Sequence, residues 1–256
     1  LDGSDINNPC EFNISGGVVT VPTSGSTDTG VAPFHISGGG SIFNFTGGKI
    51  IIQSEGGSGA QNLGFTNDGT SVAAVTGGTL QIGNASTPAG QTMNIDTDAE
   101  ISNLLVNSAN ATAALSNSSL IVQNNITISA GTLSAGTLGI TLGGNWSNSG
   151  TFNGGTGSVT FNSGAAQTIS KTGGETFNDL NFGGAGLKTL LSPLTTNGSF
   201  SIASGASVDV SASNYSLTVK KNLTNNGSLN TRSGLVLLNG TASQNIGGSS
   251  VTDFYD

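Results

Sequence analysis

The sequence is poor in the residues that build compact metal and catalytic centres. Charged residues make up 8% of the 256 residues and aromatic residues 5%, with one cysteine and one histidine. A single cysteine, Cys10, excludes an internal disulfide framework and a cysteine-rich zinc site. The histidine, His35, has no serine and aspartate at a recognisable spacing, so a Ser-His-Asp triad is not expected.

Basic residues are also scarce. Lysine and arginine number 6 against 14 acidic residues, which gives a formal charge of −8. Binding to nucleic acid or to an anionic membrane surface needs clustered basic side chains, and only Lys220 and Lys221 are adjacent. No run of 18 apolar residues occurs, so no direct membrane insertion is expected. No basic segment followed by an apolar one opens the chain, so no signal peptide is expected to remain.

Apolar residues are regularly placed, which favours an ordered all-β chain over a disordered one. The chain has 41 glycines and is 34% hydrophobic. Apolar residues two apart share a sheet face, and such pairs recur about every twenty residues from Leu104 onward. This step is typical of one turn of a parallel β-helix. The sequence therefore predicts an all-β, parallel, right-handed β-helix with coils of about twenty residues.

An alternative fold stays open at this point. Asn-Gly dipeptides such as Asn197-Gly198 and Asn226-Gly227 are typical of the tight corners of a solenoid. The same dipeptides also occur in β-hairpins, and an array of hairpins would form an antiparallel sandwich or a propeller.

The chain also contains an internal repeat, because residues 140–169 align without a gap on 217–246, 77 positions later. We interpret this unit as four stacked coils. Matched asparagines are expected to form a hydrogen-bonded ladder along the stack, and the matched Phe161 and Leu238 to lie near Phe182 and Phe200. The predicted structural repeat positions are Asn145, Gly150, Phe161, Asn162, Asn222, Gly227, Leu238 and Asn239.

The repeat predicts a division of the chain. Residues 1–75 fit it poorly and are expected to form diverged coils or a cap, whereas residues 76–256 are expected to form the repeat array. Phe254 and Asp256 fall 77 positions after Phe177 and Asp179. The array is therefore expected to stop in the middle of a repeat and to belong to a longer one.

Few residues suggest chemistry. Asp96, Asp98 and Glu100 alternate, so three carboxylates on one strand face form a weak candidate calcium site, although an outward polar face is the favoured interpretation. A β-helix lyase or hydrolase would need a base beside carboxylates. The candidate pairs are Lys171 with Glu175 and Lys188 with Asp179. We predict a non-enzymatic protein without a cofactor.

The segments 145–152, 157–162 and 166–169 resemble a repeat with the pattern GNW-x-N-x-G-TF, G-x-V-x-FNG and QTI, and 177–182 resembles its F-x-N-L-x-I strand. This repeat is that of large secreted surface proteins, which are common in gliding and soil Bacteroidota. Those proteins are typically exported by the type IX system and include cell-surface adhesins such as gliding adhesins. The resemblance covers about 77–256. Ser163 replaces the usual glycine, and Lys220, Lys221 and Leu223 depart from the pattern in the last copy.

The resemblance implies a segment of a long extracellular cell-surface adhesin that serves as a rigid stalk with multivalent contacts. The implied partners are an extracellular polysaccharide or substratum surface, the secretion machinery and outer-membrane anchoring proteins. No catalytic residue belongs to the motif. Two alternatives stay open: a β-helix polysaccharide lyase or hydrolase, and a self-assembling extracellular filament subunit.

Overall fold

The computed structural model describes residues 10–22, 32–36, 41–56, 63–67 and 72–255. Regular structure in these ranges consists of β-strands, and none of their segments is a helix that could span a bilayer. Contacts divide the chain into two units, residues 1–123 with 127–134, and residues 124–126 with 135–256. Each unit is a parallel β-solenoid, which confirms the predicted fold class.

The strands of the first unit are β1 (Glu11–Val21), β2 (Phe34–Ile36), β3 (Ile42–Ile52), β4 (Leu63–Asn67), β5 (Val72–Val75), β6 (Thr79–Ile82), β7 (Gln91–Thr97), β8 (Asn103–Leu115) and β9 (Leu120–Val122). All but the first residue of β10 (Ile126–Ser134) also belong to it.

The strands of the second unit are β11 (Ile140–Leu142), β12 (Trp146–Asn148), β13 (Thr151–Asn153), β14 (Ser158–Asn162), β15 (Gln167–Lys171), β16 (Glu175–Phe177), β17 (Asp179–Gly183), β18 (Leu187–Leu190), β19 (Leu194–Thr196), β20 (Phe200–Ile202), β21 (Ser207–Asp209), β22 (Leu217–Val219), β23 (Leu223–Asn225), β24 (Ser228–Asn230), β25 (Val236–Leu238) and β26 (Ile246–Gly247).

The first unit contains two coil lengths. Strand β1 pairs with β3 and β2 with β4 at an offset of 31 residues, and β3 pairs with β5 and β6 at an offset of 30. The offset then falls to 24 between β6 and β8 and to 20 between β7 and β8. The early coils thus contain about ten residues more than the coils of about twenty residues that the sequence predicts. The predicted division at residue 75 falls within this unit, between β5 and β6.

The second unit has three strands in each coil and therefore three faces. Face 1 contains β11, β14, β17, β20, β23 and β26; face 2 contains β12, β15, β18, β21 and β24; face 3 contains β16, β19, β22 and β25. Partners on face 1 lie 19 to 23 residues apart, and their pairing is parallel. Parallel pairing rules out the antiparallel sandwich or propeller that the Asn-Gly dipeptides left open.

The core of the second unit follows from alternation along these short strands. Residues two apart, such as Val159 and Phe161, are buried, because successive side chains point to opposite faces of a sheet. The rings of Phe161 and Phe182 stack with centroids 5.7 Å apart, and those of Phe182 and Phe200 lie 5.3 Å apart. This aromatic column confirms the predicted neighbours of Phe161.

The 77-residue repeat unit does not contain the four complete coils that the sequence predicts. Ile140 lies on face 1, but its sequence match Leu217 lies on face 3, and the fourth face-1 partner after Ile140 is Leu223. Seventy-seven residues therefore span one strand less than four coils. Leu238 consequently pairs with Val219 on face 3 and does not belong to the column of Phe161. Corner lengths that differ from coil to coil cause this shift.

Candidate functional site

The three acidic residues of the candidate calcium site each have a different partner in the next coil. Asp96 accepts a hydrogen bond from Asn117 Nδ2 at 2.6 Å, Asp98 from Ser118 Oγ at 2.7 Å, and Glu100 from Gln123 Nε2 at 2.9 Å. Strand β7 ends at Thr97, so Asp98 and Glu100 lie beyond it, and the three carboxylates do not share one strand face as predicted. In the described ranges, no group of three or more His, Cys, Asp or Glu side chains is arranged to hold a metal ion.

Lys171 and Glu175 do meet, but the carboxylate of Glu175 is buried in the core. The Lys171 Nζ lies 3.4 Å from Glu175 Oε1, and the Glu175 side chain is 1% exposed. The other carboxylate oxygen accepts hydrogen bonds from Trp146 Nε1 at 2.8 Å and Asn148 Nδ2 at 2.7 Å. Both oxygens of the carboxylate are thus already bonded within the fold. This arrangement fits a buried structural anchor better than a general base, which must reach a substrate.

Lys188 is buried and does not pair with Asp179. Its ammonium donates to the carbonyl oxygens of Ser163, Gly183, Gly184 and Gly186, with distances of 3.1, 2.9 and 2.7 Å to the first, third and fourth. Burial away from water lowers the pKa of this ammonium. Asp179 Oδ1 instead accepts a hydrogen bond from the backbone N–H of Ser199 at 2.6 Å.

His35 likewise lacks the partner that a catalytic histidine needs. Its Nδ1 is buried and makes no hydrogen bond to the described part of the chain. In a catalytic triad this nitrogen donates to a carboxylate that fixes the orientation of the ring.

The repeated polar residues form the corners of the coils. Gln167 Nε2 donates to the carbonyl oxygens of Leu142 at 3.1 Å and Gly144 at 2.6 Å. Seventy-seven residues later, Gln244 Nε2 donates to those of Val219 at 2.9 Å and Lys221 at 2.7 Å. The repeat therefore encodes a corner that satisfies the backbone carbonyls where strands end.

The predicted asparagine ladder has a different form. Asn145 Oδ1 accepts a hydrogen bond from the backbone N–H of Thr168 at 2.8 Å, and Asn222 Oδ1 accepts one from that of Asn245 at 3.0 Å. These amides bond to the backbone of the next coil and not to one another. The matched glycines, Gly150 and Gly227, close turns by donating to Asn148 and Asn225.

The corner between face 3 and face 1 carries a groove. Two shallow cavities of about 170 and 450 Å³ lie along it, and Asn197 lines both. We define the corner groove by its polar side chains, which come from consecutive coils: Asn153, Asn178, Asn197, Lys220, Lys221 and Asn239. The sequence pattern does not predict this groove, because its residues are far apart in the chain and are brought together only by the register of the coils.

The two lysines of the corner groove differ from the other basic residues. Lys49 donates to Gln81, Lys171 and Lys188 have the partners described above, and Arg232 forms a two-pronged ion pair with Asp209 at 2.6 and 2.7 Å. Lys220 and Lys221 are exposed, and their ammonium groups have no hydrogen-bond or ion-pair partner among the described residues. They are therefore available to an anion from outside.

Comparison with known proteins finds no matching family model, no matching curated protein and no matching solved structure.

Proposed function

We propose that this chain is a non-enzymatic segment of an extracellular cell-surface adhesin of the Bacteroidota type. In this function the solenoid is a scaffold that presents polar surface to a polysaccharide or to the substratum. Export by the type IX system and anchoring at the outer membrane belong to the same proposal. The sequence resemblance and the surface of the second unit support it.

The observation that carries the proposal is the registered array of small polar side chains on the outside. On face 3, Thr176, Thr195 and Thr218 occupy successive strands in register. Face 1 carries a similar column, Thr160, Asn181, Ser201 and Thr224. Such groups repeat at about the 4.8 Å spacing of neighbouring strands. Weak contacts repeated along a polymer add through avidity, so no single strong site is required.

The fate of the candidate catalytic residues supports a scaffold over an enzyme. The carboxylate of Glu175 and the ammonium of Lys188 are both buried and bonded to neighbouring groups. The copies share Gln167 with Gln244 and Asn145 with Asn222, and these residues are engaged in the corners of the fold. These residues, which the repeat retains, thus serve to build the coils.

Attachment by many copies tests the proposal. Beads coated densely with the chain are expected to adhere to glass that carries bacterial or algal polysaccharide, whereas the same chain as a free monomer binds weakly. Beads coated with the heat-unfolded chain are the control. Failure of coated beads to adhere to any polysaccharide surface would contradict the proposal. Release of new reducing ends or unsaturated sugars from those polymers would favour the lyase or hydrolase instead.

A further inference from the structure

We propose that the corner groove binds an acidic polysaccharide, with Lys220 and Lys221 contacting its carboxylate or sulfate groups. This inference rests on the proposed function for its setting and adds the class of ligand and the place where it binds. The groove runs across the coils, so a polymer fits it better than a single small anion.

The internal repeat shows that a corner of this sequence type does not require lysine, although the two copies place it between different faces. Lys220 and Lys221 stand where the first copy has Gly143 and Gly144. The backbone does the same work in both copies, since the carbonyls of Gly144 and Lys221 accept equivalent hydrogen bonds from Gln167 and Gln244. The two lysine side chains are therefore additions to a corner that is complete without them.

The positive charges of Lys220 and Lys221 suit the binding of an acidic ligand. In a chain with a formal charge of −8, these two adjacent ammonium groups, which have no ion-pair partner among the described residues, create a local positive site. Each ammonium carries three donors and no acceptor, so it is suited to carboxylate and sulfate oxygens. Repulsion from the rest of the surface would direct an acidic polymer to this part of the second unit.

The corner groove is long enough to accommodate several sugar units of a polymer. From Asn153 to Asn239 the groove crosses five consecutive coils, a distance of about 19 Å at the usual spacing of neighbouring strands. The side chains of Asn197 and Asn239 are exposed and make no hydrogen bond to the described residues. Their amides can donate to and accept from sugar hydroxyl groups on either side of the lysine pair.

Binding of defined polymers to the whole chain tests this inference. The probes are polygalacturonate for carboxylate groups, dextran sulfate for sulfate groups and unmodified dextran as a neutral polymer. The double variant K220Q/K221Q is expected to bind the preferred acidic polymer about fivefold more weakly or worse, since each exposed ion pair contributes modestly. Its affinity for dextran should be unchanged, and K220R/K221R should retain acidic binding.

The control is Lys49→Gln, which removes one positive charge in the first unit, against two in the double variant. Lys49 lies on β3 and donates to Gln81, outside the corner groove. A loss of acidic binding in K49Q that equals the loss per lysine in the double variant would indicate a general charge effect and overturn the site. Lys220 and Lys221 are exposed and their side chains bond to none of the described residues, so we expect an unchanged thermal midpoint, which would show that the coils of the double variant remain folded.

Oligomer length separates a groove from a simple anion site. Affinity should rise from galacturonate monomer to oligomers long enough to span the corner groove. Equal affinity for monomer and oligomer would overturn the groove. Undiminished binding of acidic polymers by K220Q/K221Q would also overturn the inference, and adhesion of coated beads would still support the proposed function. Loss of bead adhesion to all polysaccharides, acidic and neutral, would reject both.

Discussion

Trp146 donates its indole N–H to a carboxylate oxygen of Glu175 at 2.8 Å, and both side chains are buried. The same oxygen accepts the amide of Asn148, while the other oxygen faces the Lys171 ammonium and accepts the backbone N–H of Thr176. One acid thus binds donors from two coils. Its removal would leave several donors without an acceptor away from water, which costs more than an ordinary surface hydrogen bond.

We expect Glu175→Gln to lower the free energy of unfolding by about 2 kcal/mol, because an amide turns one acceptor oxygen into a donor that faces other donors. Fluorescence of Trp146, the only tryptophan, measures this directly in urea. Glu100→Gln is the matched control, since Glu100 also accepts a side-chain hydrogen bond but is exposed. Equal effects of the two substitutions would show that the buried carboxylate has no special role.

Lys188 provides a second test, because its ammonium binds several carbonyl oxygens within the core. Lys188→Met should lower the free energy of unfolding by about 3 kcal/mol, since those carbonyls lose their donor. Lys188→Gln should cost clearly less. Gln167 is the register partner of Lys188, and its amide already bonds carbonyls at the equivalent corner of the preceding coil. Chemical denaturation of both variants compares their free energies of unfolding. A K188M more stable than K188Q would contradict the role of the Lys188 ammonium as donor to these carbonyl oxygens.

The same lysine predicts a dependence on alkaline pH. Burial lowers the pKa of Lys188 in the folded chain, so between that pKa and the ordinary value of 10.5 the unfolded chain binds more protons. The free energy of unfolding should therefore rise with pH in this window. Subtracting the profile of K188Q removes the titration of other groups. A flat difference profile up to pH 10.5 would contradict the lowered pKa.

The ion pair of Asp209 with Arg232 should make the free energy of unfolding depend on pH in the acidic range. The Arg232 guanidinium hydrogen-bonded to it lowers the pKa of this carboxyl, and burial partly opposes that effect. The stabilising contribution of the charged carboxylate is therefore full above its ordinary pKa of 3.8 and is lost as pH falls through the lower folded value. Asp209→Asn should destabilise the chain at neutral pH, and its difference from the unsubstituted chain should shrink in acid. A difference that is constant with pH would contradict the pairing.

Arg232 separates backbone strain from charge pairing. Its φ is +47°, and Gly155, its match in the first repeat copy, has a φ of +52°. A residue with a Cβ costs about 1 kcal/mol in this left-handed region, whereas glycine does not. Arg232→Gly and Arg232→Ala both lose the ion pair, but only R232A keeps the strain. We therefore expect R232G to unfold at a higher denaturant concentration than R232A, and the reverse order would contradict the strain.

Sequence alone predicts the strands well, because apolar residues two apart identify inward positions such as Val159 and Phe161. It does not predict to which face of the solenoid each strand belongs. The number of residues in each corner varies, so a match of 77 positions does not return to the same face, as Ile140 and Leu217 show. Local spacing carries the strand signal, while the face depends on the sum of all the corner lengths between two strands.

The burial of Glu175 could not be predicted for a related reason. Glu175 has Thr252 as its match in the other copy, so the repeat gives no sign of a structural carboxylate there. A signal did exist for Lys188, which stands 21 residues after Gln167 and replaces a corner glutamine. The corner groove required the register of five coils, and pairing partners between coils are not visible in a single sequence.

The shift of one strand between the two repeat copies has a geometric consequence for any array built on this unit. Each copy begins one face away from the previous one, so a given motif turns by a third of a revolution per copy. Three copies restore the original orientation. Duplication of such a unit distributes each side chain around the whole circumference, so an approaching surface meets every motif from any direction.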